Sequence, residues 1–493
     1  MPDWLHHRPG RHRRGLPARG GRRGGESDGR DVSTLIEHLA DYAHGLSYAR
    51  LPPEVIHQAK RCVLDLTGCA LGACGLGAGR AIVEYVLGLN GCPQATIWGY
   101  GGKAPIAQVA LVNGTVAHHL ELDDGQLASN LHAGITTIPA ALAVAELTGA
   151  TGRELITATV AGYEVAGAIG RMVVSGEGRH KLHGPGLMGA LGAATAAGKL
   201  LGLSAAELAN AISLAGSLLP ISPYEAALRG ATVKDLYGGW PNLLGVMAAE
   251  LARRGMGGPR TLVEGTRGIG QCLLDRPFAT AEGEAVLAEL GTRYEILHTY
   301  FKPYASCRAP HPALSVLEEL QREHAIIADE IESVKVETYP YAVALSQESD
   351  DDSEISARWD IPYNVAALLL WGAVGPEHFD ATHRDDARLR ALMARVRVRV
   401  GEEFANPVVR GARVVVRMHD GRCLESSCQI ARWDEADPPS DHDLEDKFKA
   451  LTARCLPEAR IQSLMELIWT LEECQNAGGL ARALVCPRHV TGG

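Results

Sequence analysis

Cysteine pairs of the kind that bind metals are missing from this chain. Its 11 cysteines are scattered, none stands in a CxxC pair, and the closest late pair is Cys423 and Cys428. That spacing fits neither a zinc site nor an iron-sulfur cluster. Scattered reduced thiols are typical of a cytosolic protein, so the sequence predicts a cytoplasmic location.

Long apolar runs and an excess of positive charge are missing too. No run of about 18 uncharged apolar residues occurs, which predicts that no segment spans a membrane. The formal net charge of -10 argues against a folded body that binds nucleic acid. A cluster of positive side chains in a deep site would still attract an anion, so a small anionic substrate is compatible with this balance.

Apolar sequence is plentiful enough for most of the chain to fold. Hydrophobic residues make up 46% of the 493 residues and charged residues 22%. This length exceeds one ordinary hydrophobic core, which predicts a large domain with at least one smaller domain. No internal repeat is evident.

Residues 1–31 differ from the rest in composition. They contain eight arginines and seven glycines against four acidic residues, without apolar periodicity. Such a segment lacks the apolar stretch of a secretory signal and cannot bury enough surface to fold. An RNA-contacting arm, a mitochondrial-type presequence and a flexible or misassigned start are the three interpretations, and composition favours the last.

Helical periodicity dominates from residue 32 to residue 296. Ser33 and Thr34 are candidate caps for the first helix, and Pro52-Pro53 ends one element and begins the next. Further helices are predicted at 105–118, 139–147, 154–174, 188–201, 204–219 and 242–255. Their high glycine and alanine content allows helix backbones to approach closely, so the sequence predicts a compact, nearly strand-free bundle.

The pattern changes between residues 297 and 432. Alternating apolar and polar residues predict strands at 331–342, 396–400, 412–418 and 423–430, with helical runs between them at 364–371 and 387–395. Ser440 is then a candidate cap for a return to helix. We therefore predict a mainly α protein with four segments: an Arg/Gly-rich disordered arm (1–31), a helical domain (32–296), an inserted α+β domain (297–432) and the C-terminal part of the helical domain (433–486).

The densest cluster of ionisable residues lies between residues 118 and 139, in the sequence HHLELDDGQLASNLHAGITTIP. Glu121, Asp123 and Asp124 are too close together to be ionised comfortably in a shielded site unless cations offset them. A capped helix end with solvated acids is one interpretation. A substrate site is the other, because His132 follows on the next loop and a histidine there is suited to act as a general base.

Three further clusters bear cations. The basic stretch from Arg179 to His183 precedes an alanine-rich helix, where a helix N-terminus also attracts carboxylates. Lys234 lies among glycine and aromatic residues. At the predicted domain junction, where ligand clefts often form, Lys302 and Arg308 are natural anion contacts and Cys307 is interpreted as an inert thiol.

Five segments in order together resemble one family. The segments are NGTVAHHLELDD, HAGITTIPAALAVAELTG, KLHGPGLMGALGAATAAGKLLGLS, VKDLYGGW and FKPYASCRAPHPA. On these segments the chain resembles the MmgE/PrpD family, from about residue 32 to residue 471. This family includes 2-methylcitrate dehydratase, cis-aconitate decarboxylase and iminodisuccinate epimerase. The resemblance implies a helical domain with an inserted lid domain, a homodimer, and chemistry on small di- or tricarboxylates without a metal or other cofactor.

The resemblance also implies roles for individual residues. The catalytic candidates are His132, His183, Lys234 and Lys302. The candidates for substrate binding are Glu121, Asp123, Asp124, Ser306, Arg308 and Tyr363, the last matching a tyrosine that the lid contributes.

Two positions depart from the decarboxylase pattern. Where that pattern has Asp-Phe-Asp-Asp-Thr, this chain has a longer acid at Glu121 and no hydroxyl at Gly125. His132 is followed by alanine instead of proline, and Leu127-Ala128 replaces the other His-Pro pair. A pocket of different shape from that of cis-aconitate decarboxylase is therefore expected.

One mechanism serves all the reactions that the family implies. His132 would take a proton next to a carboxylate, Lys234, Lys302 and Arg308 would stabilise the resulting charge, and His183 or Lys234 would be the complementary acid. If hydroxide is then lost, the enzyme is a dehydratase, which is the favoured reaction. If the carbon is reprotonated on its other face, the enzyme is an epimerase. A decarboxylase loses carbon dioxide first and protonates the carbanion afterwards. A silent binding or scaffold protein is the non-enzymatic alternative.

Overall fold

The computed structural model describes residues 33–173, 182–274, 276–349, 353–406 and 409–487. The described residues from Thr34 onward form one compact unit by themselves. The Arg/Gly-rich arm lies outside the described residues. The helices of the first part are α1 Leu35–Gly45, α2 Pro53–Gly75, α3 Arg80–Gly88, α4 Ile106–His118, α5 Ala133–Thr148, α6 Gly152–Val173, α7 Gly184–Leu200, α8 Ala205–Ser217, α9 Glu225–Leu228, α10 Leu236–Arg253, α11 Ile269–Leu273 and α12 Thr280–Leu287.

The second part combines helices with a small sheet. Its helices are α13 His311–Glu323, α14 Pro340–Glu348, α15 Glu354–Ala357, α16 Ile361–Trp371, α17 Ala381–Arg384, α18 Ala387–Met393, α19 Asp441–Thr452, α20 Glu458–Trp469 and α21 Gly478–Ala483. The strands of the chain are β1 Ala95–Thr96, β2 Lys103–Ala104, β3 Ile331–Thr338, β4 Val396–Val400, β5 Ala412–Met418 and β6 Cys423–Cys428. The protein is thus mainly α, as predicted.

The sheet has the strand order β4-β3-β5-β6. Strand β3 pairs with β4 in parallel, with Val334 opposite Val396, and with β5 in antiparallel, with Val334 opposite Val416. The first predicted strand is four residues too long, because it ends at Thr338 and Pro340 begins α14. Proline suits the first turn of a helix, where its missing N–H group is not needed.

Helix caps follow the sequence closely. Capping boxes begin three helices, at Thr34, Ser204 and Ser440. In each, the cap side chain accepts a hydrogen bond from the backbone N–H of the third helical residue, and the acidic side chain of that residue accepts one from the backbone N–H of the cap. The close helix packing is confirmed as well. A Cβ atom at Gly239 in α10 would collide with the carbonyl oxygen of Leu111 in α4, so only glycine allows this approach.

Helix α5 begins six residues earlier than predicted. Pro139 therefore lies inside it, where proline leaves the carbonyl oxygen of Ile135 without its helical partner. The side chain of Asn242 repairs this gap: its Nδ2 donates to the Ile135 oxygen at 2.7 Å, and its Oδ1 accepts from the Ala140 N–H at 3.0 Å. Helices α7 and α10 also begin earlier than predicted, at Gly184 and Leu236.

Helix α19 packs against α2. Lys447 forms an ion pair with Asp65 at 2.6 Å, and Phe448 lies directly against Gly68. The domain boundaries and the lid role of the α+β part stay predictions. Among the described residues, no single helix is both long and apolar enough to cross a bilayer, although α2 and α3 together, bent by 91°, meet those criteria.

Candidate active site

The loop between α4 and α5 carries the acidic residues and is anchored by Tyr300. The Gly125 N–H donates to the Tyr300 carbonyl at 3.1 Å, and the Tyr300 N–H donates to the Gly125 carbonyl at 2.8 Å. A Cβ atom at Gly125 would collide with the Tyr300 ring. Glu121 has a φ of 54°, in the left-handed region, which turns the chain sharply after α4.

Asp123 bridges two histidines. Its Oδ1 lies 3.0 Å from Nδ1 of His118, and its Oδ2 lies 2.6 Å from Nδ1 of His132. Burial favours the neutral carboxyl, but the two histidines outweigh it and hold the pKa of Asp123 well below its usual value. Asp123 and His118 are fully buried, whereas the His132 side chain is 15% exposed. This carboxylate therefore orients both rings.

His183 completes a group of three imidazoles. It caps α7, and its ring centroid lies 5.5 Å from that of His118 and 6.1 Å from that of His132. Burial lowers the pKa of His118 to about 4 and that of His183 well below its usual value. Nε2 of His118 and Nδ1 of His183 are buried without a hydrogen-bond partner among the described residues. Both rings are therefore neutral near pH 7.

Glu121 connects the two predicted lysines. One of its carboxylate oxygens pairs with Lys234 and the other lies 3.4 Å from Nζ of Lys302, which also donates to the Glu121 carbonyl at 3.0 Å. All three side chains are buried. Burial lowers the pKa of Lys234 and of Lys302, and neighbouring acids oppose this only in part.

Asp124 faces away from its neighbour Asp123. Its Oδ1 accepts from the Gly134 N–H at 3.0 Å and its Oδ2 from the Tyr163 hydroxyl at 2.6 Å. Burial raises its pKa to about 7. Both carboxylate oxygens of Asp124 are thus hydrogen-bonded inside the helical bundle. Neither is free in this structure for the predicted contact with a substrate.

The predicted residues of the junction fall into two groups. Arg308 donates to Asp434 at 2.9 Å, and its guanidinium lies 4.6 Å from the centre of the Tyr300 ring. Ser306 donates to the Cys307 carbonyl at 3.3 Å, and Tyr363 donates to the His378 carbonyl at 2.6 Å. Arg308 lines the cavity described next, whereas Ser306 and Tyr363 are buried outside its lining.

A cavity of about 60 Å³ lies between the histidines and the junction. The predicted residues that line it are Glu121, His132, His183, Lys302 and Arg308. Lys234 and Asp123 lie directly behind this lining, each bonded to one of its members. Cys307 also lines the cavity, and burial raises the pKa of its thiol, which disfavours the thiolate that a nucleophile needs.

A larger cavity of about 440 Å³ lies behind the acidic loop, at Leu122. Its cations are already paired: Lys447 with Asp65, Arg432 with Glu318 and Arg454 with Glu377. We assign the chemistry to the smaller cavity, because the neutral histidines and the buried lysines lie there.

Sequence reasoning missed His118, Tyr300 and Arg410. The sequence has two adjacent histidines at the end of α4, and no local signal distinguishes them. The fold does, because His118 bonds to Asp123 whereas His119 bonds to Asp235 at 2.8 Å. Tyr300 lies beside the predicted lysine motif, and Arg410 lies in a stretch without any signal for a site.

His118, Asp123 and His132 also have a spacing that a metal ion accepts. Their ligand atoms all lie within 4.8 Å of one another. Imidazole and carboxylate would suit a divalent transition metal. Without a metal, the Nδ1 atoms of both histidines hydrogen-bond directly to the Asp123 carboxylate, which orients the two rings.

Comparisons with known proteins identify the family of this chain. Residues 37–281 match the MmgE/PrpD N-terminal domain, and residues 304–471 match the MmgE/PrpD C-terminal domain. The chain is 24% identical to the cis-aconitate decarboxylase of Homo sapiens, over 92% of this chain and 95% of the human protein. It is 26% identical to the Mus musculus enzyme of that name, over 92% and 94%. For the Aspergillus terreus (strain NIH 2624 / FGSC A1156) cis-aconitate decarboxylase the identity is 23%, over 94% and 98%. The chain therefore belongs to the MmgE/PrpD family.

Proposed function

We propose that this protein is a lyase that acts on a small di- or tricarboxylate by removing a proton next to a carboxylate. The favoured reaction is a dehydration like that of 2-methylcitrate dehydratase. The observation that carries the proposal is the hydrogen bond of 2.6 Å between Asp123 and His132, at a cavity whose other wall bears Lys302 and Arg308.

His132 is the proposed base. Its Nδ1–H donates to the Asp123 carboxylate, which leaves the lone pair of Nε2 to accept a proton from the substrate. Asp123 also stabilises the imidazolium that forms. The partial exposure of His132 to the cavity gives a substrate access to this nitrogen.

The proton leaves a carbon that is barely acidic, so the developing negative charge needs fixed positive charge nearby. Lys302 and Arg308 supply it at the cavity wall. In a buried site these charges act with little screening by water and without reorganisation during the reaction. Lys234 pairs with Glu121 from behind, so that less of the Glu121 charge is left to offset Lys302.

Dehydration is completed when the electron pair of the broken C–H bond forms a double bond and the hydroxyl on the next carbon departs. That hydroxide takes a proton from a complementary acid and leaves as water. Of the two acids that the sequence offers, His183 and Lys234, Lys234 is proposed, because burial keeps His183 neutral near pH 7. His183 stands beside His132, with the two rings only 23° from parallel.

Decarboxylation is the second candidate, because the relatives named above carry that activity in their names. On that route the carboxylate leaves as carbon dioxide, and the carbanion then takes a proton. Gly125 weighs against an identical pocket, since a larger residue here would collide with Tyr300. Epimerisation needs the same proton removal with return to the other face, and it stays an alternative.

The test is exchange of solvent deuterium into candidate acids, read by NMR. Citrate, methylcitrate, aconitate, itaconate and iminodisuccinate-like acids form the panel, ranked first by the rise in melting temperature that each causes. We expect His132→Asn to lower exchange on the active acid by a factor of about 100 or more. His442→Asn is the control, because that side chain is 77% exposed.

Each result has a clear meaning. Full exchange in His132→Asn would refute His132 as the base. A folded wild-type protein that binds an acid without exchange or turnover would favour the binding or scaffold alternative. The double-bonded product, the epimer or carbon dioxide identifies the reaction.

We further propose a cytoplasmic homodimer, as the family resemblance implies. Light scattering after gel filtration should give the mass of two chains, whereas the mass of one chain would refute the dimer.

A further inference from the structure

The cations around the small cavity differ in whether the protein already neutralises them. Lys234 and Lys302 share the carboxylate of Glu121. Arg308 is paired with Asp434. A substrate carboxylate that approaches these three groups therefore competes with an internal acid.

Arg410 is different. It lines the cavity, is half-buried, and lies just before β5. Within the described residues it has no hydrogen bond and no ion pair. An arginine that borders a cavity without a partner is a ready binding group for an anion, because its guanidinium offers several donors in a plane.

Arg410 also shares the lining of the cavity with Tyr300 and Tyr339. Burial raises the pKa of Tyr339 to about 12. The positive charges of Arg410 and Arg308 act in the opposite direction and lower this pKa. Burial raises the pKa of Tyr300 as well, and these two arginines again oppose the rise. Both tyrosines line the cavity, so the charge of Arg410 acts at its interior.

We propose that Arg410 binds a second carboxylate of the substrate, remote from the carbon that His132 deprotonates. This inference rests on the proposed function and narrows it, because it requires an acid with at least two carboxylates. One carboxylate lies beside Lys302, and the other pairs with Arg410 on the side of the sheet. Tyr341 and Trp359 line the space too, which favours a short carbon chain between the two groups.

The binding test compares Arg410→Gln and Arg410→Lys with a matched control, Arg413→Gln. Arg413 lies three residues further along, is partly exposed, and pairs with Glu403 and Glu425. Calorimetry with citrate, the probe, should give a Kd about 10- to 100-fold higher in Arg410→Gln than in wild type, because a charge-assisted hydrogen bond is lost. Arg410→Lys should be intermediate, and Arg413→Gln should equal wild type.

The kinetic test uses a pair of acids that differ only in the remote carboxylate. Arg410→Gln should raise KM for the acid with this group by about 10- to 100-fold and change kcat by less than about threefold. KM for the acid without it should stay as in wild type. Since Arg410 has no partner within the described residues, the two Arg410 variants should fold and melt like wild type. Arg413→Gln should melt within a few degrees of wild type, because the ion pairs that it loses are solvated and contribute little to stability. Circular dichroism checks both expectations.

The outcomes separate this inference from the proposed function. Equal citrate Kd values in Arg410→Gln and wild type would overturn the role of Arg410, whatever the turnover. A loss of affinity confined to Arg410→Gln in a protein without turnover would support the anion contact and refute the lyase. A wild-type protein that binds no acid of the panel would overturn both.

Discussion

Asp123 and His132 are joined by a hydrogen bond of 2.6 Å, while the other oxygen of the same carboxylate lies 3.0 Å from His118. One buried acid thus orients two imidazoles, of which only His132 lines the cavity. In the proposed mechanism His132 is the ring that accepts a proton, and His118 is its buried neutral support. The first prediction follows from it.

Asp123→Asn should lower kcat by a factor of about 100 to 10,000. The asparagine amide can donate to Nδ1 of His132, which would place the proton on Nε2 and leave no base facing the substrate. Turnover at several pH values measures the effect, with circular dichroism to show that the variant folds. Activity within threefold of wild type would contradict the role of this pair.

Asp124→Asn should change how stability depends on pH. The pKa of Asp124 rises from 3.8 to about 7 on folding, so its contribution to stability is complete below about pH 4 and is lost as the pH rises through 7. Between pH 5 and pH 8 this loss amounts to roughly 2 to 3 kcal/mol.

Urea unfolding of wild type and Asp124→Asn at both pH values measures this difference. Glu164, whose pKa burial raises to about 8, remains in both proteins and cancels in the comparison. A variant with the same loss of stability as wild type between pH 5 and pH 8 would show that Asp124 does not titrate in this range.

Gly125→Ala should weaken substrate binding and lower stability by about 1 to 3 kcal/mol. The new methyl group would collide with Tyr300, which lines the cavity, so the ring has to move. Gly45→Ala is a suitable control, because a Cβ atom there meets nothing within 4 Å. Calorimetric titration with the active acid and thermal unfolding check the prediction; wild-type affinity in Gly125→Ala would refute the tight contact.

Gly239→Ala should destabilise the bundle by about 1 to 3 kcal/mol. Alanine favours helix over glycine by about 1 kcal/mol, so a loss here has to come from packing. The methyl group would press on the Leu111 carbonyl oxygen and the Thr115 hydroxyl of α4. Chemical denaturation gives the free energy of unfolding, and Gly88→Ala, with open space around its Cβ position, is the control. An increase in stability would mean that the two helices have room to separate.

Local sequence features predicted much of the architecture. Capping residues such as Thr34 and Ser440 begin helices where the sequence indicated, because a cap acts on the backbone two or three residues away. The start of α5 was wrong because its solution is not local. The Asn242 side chain that satisfies the backbone around Pro139 is more than a hundred residues away.

Sequence by itself determined the family, the mainly helical fold, and the presence of His132, His183, Lys234 and Lys302. Only the tertiary structure decided which partners the two adjacent acids, Asp123 and Asp124, bind. Asp123 turns toward the histidines, whereas Asp124 turns toward Tyr163, 39 residues along the chain. Neighbouring residues in a turn point in different directions, and the partners of each side chain determine which one bonds to the histidine of the cavity. Tertiary structure also decided that Arg410 lines the cavity, because its position depends on how the sheet packs.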